Sequence, residues 1–591
     1  MKLEAVRHTG TYPDIYLSDR RTLVVTLRTA KRDAEECRIH YFARTAPEEE
    51  KTQTLQFLYR DGLFDYYQGT LCFHQVARYQ KYYFELSAGK EIWYLTAEGF
   101  RRDPPEDGYF EFLYANRTGI VALPDWSQGQ VFYQIFPERF ANGDPSNDPK
   151  GVKPWGTIPD RENYMGGDLK GILDHLDHIQ ELGADCIYLN PIFLGDFNHK
   201  YATTDYYRID PIFGTNDDFR NLVRAVHDRG MKIILDGVFN HSGVHFAPFL
   251  DVLKNGEKSE YREWFYPTTF PLDITHHDYE CVGAYKYMPK LNTGNPEVRN
   301  YFLHVMEYWI REYRIDGWRL DVADEVDEGL WEEARLLLKD RYPDSILIGE
   351  TWGRGLRLMN GVQMDAIMNY VFRDAVRDFI ALETIDAAAF DDRVEKMLSD
   401  YPAQMDRAMY LLLDSHDTER FFTLCGGDRR KLKAAAALQM MFVGSPAVYY
   451  GDEIAMEGEN DPDCRRCMIW DRDLQDSDLE RWYRDLIRIR HREPAVRTGA
   501  FYADVCRNRS YVFSRTDGQE TILTAINAGE TEQEVEIPVR RAASYRDLMT
   551  GEEFLADPGA PEAARLGDKV RYQGSLMIKM KPFEAKILKE D

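Results

Sequence analysis

KIILDGVFNH, residues 232–241, passes from an apolar run to a polar end within ten positions. The run is of strand length and carries Asp236, Asn240 and His241 at its C-terminal end. Seven more runs of this kind flank it: VFYQIF (131–136), CIYLNPIF (186–193), GWRLDVA (317–323), ILIGETW (346–352), MDAIMNY (364–370), MYLLLDS (409–415) and AVYYGDE (447–453). Helix-period segments lie between them. Leu169, Ile172, Leu173, Leu176 and Ile179 recur at the spacing of an amphipathic helix, as do Val298, Tyr301, Phe302, Val305, Met306 and Trp309. Eight strands alternating with helices fit a closed parallel (β/α)8 barrel, a TIM barrel of the α/β class, better than an open sheet.

One interval is abnormally long. Residues 242 to about 290 are rich in aromatics, His and Pro, and they read as an inserted subdomain after the third strand. Residues 1–121 read as an N-terminal β-sandwich. Their short alternating strands include LVVTLRT (23–29), CRIHYFAR (37–44), KYYFELSA (81–88) and EIWYLTA (91–97). Residues 122–503 hold the barrel. Strands return in 504–591, with SYVFSRT (510–516), ETILTAIN (520–527) and SLMIKM (575–580), as a C-terminal antiparallel β-sandwich.

The 591 residues exceed what one hydrophobic core supports, and 44% hydrophobic with 29% charged residues is ordinary for a globular protein. A formal net charge of −26 argues against nucleic-acid or anionic-membrane partners. No apolar segment of membrane-spanning length occurs, and MKLEAVRHTG at the start lacks a secretory h-region. With eight scattered cysteines, these features give a cytoplasmic expectation. Cys464 and Cys467 form a lone CxxC without the second pair that a structural zinc requires.

Active sites of such barrels lie at the C-terminal ends of the strands. Four of those ends deliver Asp236 with Asn240 and His241, Arg319 with Asp321, Glu350 with Trp352, and Asp414 with His416 and Asp417. Arg319 and Asp321 share a strand face, and a guanidinium beside an Asp keeps that Asp ionised. Any one of these residues alone would read as a structural ion pair. Their coincidence at matching strand ends points to paired-carboxyl chemistry, such as glycoside hydrolysis with retention.

GVFNH (237–241), GWRLDVADE (317–325), GETW (349–352) and SHDTER (415–420) resemble the four signature regions of glycoside hydrolase family 13, the α-amylase family. MPKLN (288–292) and GSPAVYYGDE (444–453) resemble its further motifs. MPKLN points to the neopullulanase, cyclomaltodextrinase and maltogenic amylase branch. The resemblance implies Asp321 as nucleophile, Glu350 as general acid/base and Asp417 as transition-state stabiliser. It implies that Arg319, His241 and His416 hold the sugar at the cleavage point, with Tyr201 as its platform. Trp352 would line the leaving-group side, and Asp461 and Arg465 would contact sugar on the other. Two positions depart from the branch pattern: Ala202 stands where Asp is common, and Asp324 where Asn is common.

Asn142, Asp144, Asn147 and Asp148 cluster oxygens on one loop after the first strand, and Gly166 and Asp168 follow. Calcium suits such a set, with a solvated Asx-rich turn as the alternative. The branch often carries calcium here. The resemblance further implies retaining hydrolysis of α-1,4-glucosidic bonds in cyclodextrins, maltooligosaccharides and pullulan. It also implies a homodimer formed through the N-terminal domain, a starch-binding-like module. Transglycosylation or glucoside isomerisation on the same barrel is the first alternative. A non-catalytic carbohydrate-binding or assembly protein is the second, and three clustered carboxylates speak against it.

Overall fold

The computed structural model describes residues 1–116, 119–276, 278–559 and 572–590. All eight runs named above become neighbouring parallel strands of one sheet. They are β1 (Phe132–Ile135), β2 (Cys186–Leu189), β3 (Lys232–Gly237), β4 (Gly317–Leu320), β5 (Ile346–Gly349), β6 (Ala366–Ile367), β7 (Tyr410–Leu411) and β8 (Ser445–Tyr449). The order around the sheet is sequential, with β8 returning to β1. A parallel bridge between Met368 and Tyr410 closes it into a barrel.

The two faces of each strand have separate destinations. Ile233 and Leu235 of β3 pack outward with the surrounding helices, whereas Ile234 packs inward with Phe132, Tyr188, Ile346, Ile348 and Tyr410. Since side chains alternate, residues in step with Ile234 face the lumen. That parity carries Asp236 inward on β3. It carries Arg319 and Asp321 inward between the outward-facing Trp318 and Leu320, and Glu350 inward above Ile346 and Ile348. Register then sets their heights, with Asp236 directly opposite Arg319.

Helices form where caps and apolar stripes coincide. Asn216–Asp228 begins with a capping box between Thr215 and Asp218 and buries Phe219, Leu222, Val223 and Val226. The single helix expected over 169–179 is instead two, Leu169–Asp174 and Leu176–Leu182. His175 separates them, and its ring stacks on Trp470 at 3.6 Å, which fixes the break by a tertiary contact.

The insertion after β3 contains the α-helix Ala247–Asn255 followed by two short 3-10 turns, and returns through bridges from Lys290 to His241 and from Leu291 to Phe265. After β2, a hairpin of Phe193–Asp196 and Ala202–Ile209 rises over the same end of the barrel. The N-terminal region pairs two antiparallel sheets over a core of Leu23, Val25, Leu27, Ile39, Phe84 and Leu86. The C-terminal region forms two further antiparallel sheets over Val512, Ile537, Leu576 and Ile578. The N-terminal region rests on the barrel through contacts such as Arg60 N–H to Glu395 Oε2 at 3.1 Å.

Candidate active site

One guanidinium organises the barrel mouth. Arg319 Nη1 donates to Asp236 Oδ1 at 2.9 Å and to Asp321 Oδ1 at 2.8 Å, while its Nη2 lies 2.9 Å from Glu350 Oε2. Arg319 is 1% exposed and Asp236 1%, so three carboxyls share one cation away from water. Burial raises both Asp321 and Glu350 above the usual carboxylate range, and Arg319 opposes it in each. Asp321 and Glu350 flank the same guanidinium, and the charge on Glu350 adds to the rise of Asp321. Three buried negative charges around one positive charge are disfavoured, so the cluster retains a proton.

Glu350 has a second support. The backbone N–H of Val322 donates to its Oε2 at 2.9 Å. Val322 has φ +45°, an outlier for a β-branched residue, and it directly follows Asp321. The chain thus holds a strained turn that aims an N–H at one carboxyl from the residue next to the other.

His416 is oriented from behind. Gln134 Nε2 and Asn190 Nδ2 lie 2.9 and 3.2 Å from its Nδ1 and donate to it, which places the ring proton on Nε2. That Nε2 lies 2.5 Å from the Tyr201 hydroxyl and 3.0 Å from Asp417 Oδ2. Tyr201 donates its own hydroxyl hydrogen bond to Asp236 Oδ2 at 2.9 Å. Burial, then Arg465 and Arg319, holds His416 well below the usual imidazole range, so it stays neutral. His241 is pushed down to about 3 by burial and then Lys290, and its Nε2 is buried without a hydrogen-bond partner. A buried orphan donor or acceptor at a site mouth fits a ligand hydroxyl.

The remaining expected residues fall around this centre. Arg465 bridges Asp417 Oδ1 at 3.2 Å and Asp461 Oδ1 at 2.7 Å. Trp352 is 56% exposed and stacks on Tyr370 at 4.2 Å. Lys290 of MPKLN donates to the Glu325 carbonyl at 2.7 Å. Asp324 accepts from Thr351 Oγ1 at 2.9 Å, beside Trp352. Ala202 is fully buried, and its carbonyl lies where a Cβ on Gly195 or Gly243 would collide, so the hairpin there is closely packed.

Several participants were not singled out from sequence. Tyr188 donates to Asp236 at 2.6 Å, and Gln134, Asn190 and His199 complete the shell. Strand parity would have flagged Tyr188, Gln134 and Asn190 as lumen-facing polar groups on β1 and β2. No local signal marks His199.

The oxygen-rich loop folds around Asp168, which caps its helix. Asp168 accepts from the N–H groups of Gly143, Asp144 and Gly171, and from Asn147 Nδ2. Asn142 Nδ2 donates to Asp148 at 2.8 Å. Asn142 Oδ1 and Asn147 Oδ1 remain buried without partners. Among the described residues no group of three or more His, Cys, Asp or Glu side chains is placed to hold a metal. The fit to a cation therefore rests on amide and backbone oxygens with Asp148, the donor chemistry that calcium accepts.

Residues 134–503 match the family described as alpha amylase, catalytic domain, and residues 1–116 its N-terminal ig-like domain. A cyclomaltodextrinase of Geobacillus thermopakistaniensis is 42% identical, over 94% of this chain and 96% of its own. An intracellular maltogenic amylase of Bacillus subtilis is 38% identical, over 91% and 93%. A solved cyclomaltodextrinase superposes over the full length of both chains with a TM-score of 0.91 at 38% identity. Arg319 and its carboxyls thus sit in a chain that belongs to the α-amylase family of glycoside hydrolases, in the cyclomaltodextrinase, neopullulanase and maltogenic amylase branch.

Proposed function

We propose that the protein hydrolyses α-1,4-glucosidic bonds in cyclodextrins, maltooligosaccharides and pullulan with retention of configuration. The observation that carries this reading is the single buried guanidinium touching both Asp321 and Glu350. Carboxyls gathered on one side chain suit the close pairing, about 5–5.5 Å, used in double displacement.

With the shared proton on Glu350, Arg319 keeps Asp321 ionised, and Asp321 attacks the anomeric carbon. Glu350 protonates the departing oxygen, and the Val322 N–H and Arg319 then stabilise its carboxylate. Glu350 next deprotonates the water that releases the sugar from Asp321. His241, His416 and Asp417 hold hydroxyls through this sequence, Tyr201 forms the platform, and Trp352 lines the leaving-group side. Asp461 and Arg465 bind sugar on the side away from Trp352. Product analysis on maltotriose, β-cyclodextrin and pullulan tests the reading, since no cleavage of any of them would remove it.

Asn142, Asp144, Asn147, Asp148, Gly166 and Asp168 would hold a structural calcium, supported by the two orphaned amide oxygens. Its role would be to fix the loop after β1, and no chemical step passes through it. A cytoplasmic location follows the name of the intracellular relative. A homodimer in which the N-terminal region of one copy roofs the barrel of the other would favour small or cyclic glucans over starch. Its test pairs light scattering with kcat/KM for β-cyclodextrin against soluble starch. A monomer faster on starch would overturn it.

A further inference from the structure

A line of rings leaves the cleavage point. His416 and Tyr201 are parallel within 5° at 5.5 Å, Tyr201 lies 5.8 Å from His199, and His199 stacks on Phe197 at 5.5 Å and 11°. Phe197 meets Tyr287 at 4.5 Å, and Tyr287 meets Tyr285 at 5.7 Å. The steps match the scale of successive pyranose rings. The line ends at the surface, where Tyr285 is 42% exposed. Phe197, His199 and Tyr287 are half-buried, so they are neither core nor free surface.

The turn that presents these rings is strained. Phe197 has φ +62° and Lys200 φ +60°, both in the left-handed region. A bulky side chain there is an outlier that the surroundings must enforce. They do so through Lys200, 3% exposed, whose ammonium lies 2.7 Å from Asp210 and donates to the Gly195 carbonyl at 2.9 Å.

Topology gives the side. The hairpin follows β2, across the barrel from β6, whereas Glu350 and Trp352 follow β5 and Tyr370 follows β6. The acid stands by the leaving group, so the rings lie on the donor side. Polar groups accompany them there: Asp461 and Arg465 pair at 2.7 Å and, with Arg161, lie within electrostatic reach of Tyr287. Flat rings flanked by charged groups suit a sugar chain, whose C–H faces pack while its hydroxyls bond.

We propose that Phe197, His199, Tyr287 and Tyr285 form a donor-side rail binding the glucosyl units beyond the one at the cleavage point. This rests on the α-glucan reading and names the part of the chain that the site grips. Phe197 and Tyr287 are then specificity-determining residues that leave the chemistry untouched.

The p-nitrophenyl α-glucoside, maltoside and maltotrioside lengthen the donor side while keeping one leaving group. In the wild-type protein, kcat/KM for nitrophenol release should rise about tenfold from glucoside to maltotrioside. Phe197→Ala and Tyr287→Ala should each abolish most of that rise, chiefly through KM, and leave the glucoside within about twofold. Phe197→Tyr should retain the rise. A rise surviving both alanine variants would overturn the rail, as would a loss as large on the glucoside as on the maltotrioside. A wild-type protein that releases nitrophenol from all three equally would overturn it while leaving the hydrolase reading intact. One inert toward all three and toward maltotriose would remove both.

Discussion

Arg319 donates to Asp321 Oδ1 at 2.8 Å from the nitrogen that also serves Asp236, so the position of Asp321 is tied to a scaffold carboxylate on the neighbouring strand. Lysine keeps the charge but lacks the planar fork. Arg319→Lys should therefore fold and lose about 10²-fold or more in kcat. The acidic limb of its pH profile should move upward, because Asp321 becomes harder to ionise. Near-normal turnover would mean that charge alone suffices. Steady-state kinetics across pH, beside circular dichroism, decides between them.

Asp417 acts electrostatically on Glu350, apart from the role proposed for it on substrate. Burial raises the Glu350 carboxyl, Arg319 opposes this, and the Asp417 charge raises it further. Asp417→Asn removes that last contribution, so Glu350 surrenders its proton at lower pH. The basic limb of kcat/KM should shift downward, with a loss of about 10²–10³-fold in rate. An unmoved basic limb would separate Asp417 from the acid's protonation.

The sequence disclosed the barrel because each strand's apolar run is continuous, and the candidate site was legible because the polar residues follow those runs directly. Asp236 was visible at a strand end, but its role as the shared anchor of Arg319, Tyr188 and Tyr201 depends on register between strands. The tautomer of His416 depends on Gln134 and Asn190, which lie hundreds of residues earlier. The break at His175 and the strained turn at Phe197 are tertiary effects, and nothing in their local sequence announces them.

The contact between the N-terminal region and the barrel contains a costly carboxyl. Glu395 is 6% exposed, and burial lifts it well above the ordinary range, with Asp391 and Asp61 adding to this and Arg60 opposing it. Its folded pKa exceeds its unfolded one, so folding takes up a proton between the two. Stability is then lost as pH rises through that window. Glu395→Gln should melt higher than wild type at pH 7.5, by about 2 °C or more, with the advantage shrinking toward pH 5. Equal melting curves across that range would contradict the assignment.

The proposed calcium loop makes a prediction independent of turnover. Dialysis against a chelator should lower Tm, and added calcium should restore it. Saturation a hundredfold above Kd is worth about 2.7 kcal/mol. Asn142→Ala should weaken that response by removing one orphaned oxygen. A Tm indifferent to millimolar calcium would leave the loop as an Asx-rich turn.

Double displacement through Asp321 and Glu350 fixes the anomer of the first product. Proton NMR of the first product from an α-linked substrate, read before mutarotation, tests it most directly. The α-anomer should appear first, and Asp321→Asn should fold but turn over below about a hundredth of the wild-type rate. The β-anomer appearing first would contradict it, because inversion places a water, and not Asp321, against the anomeric carbon.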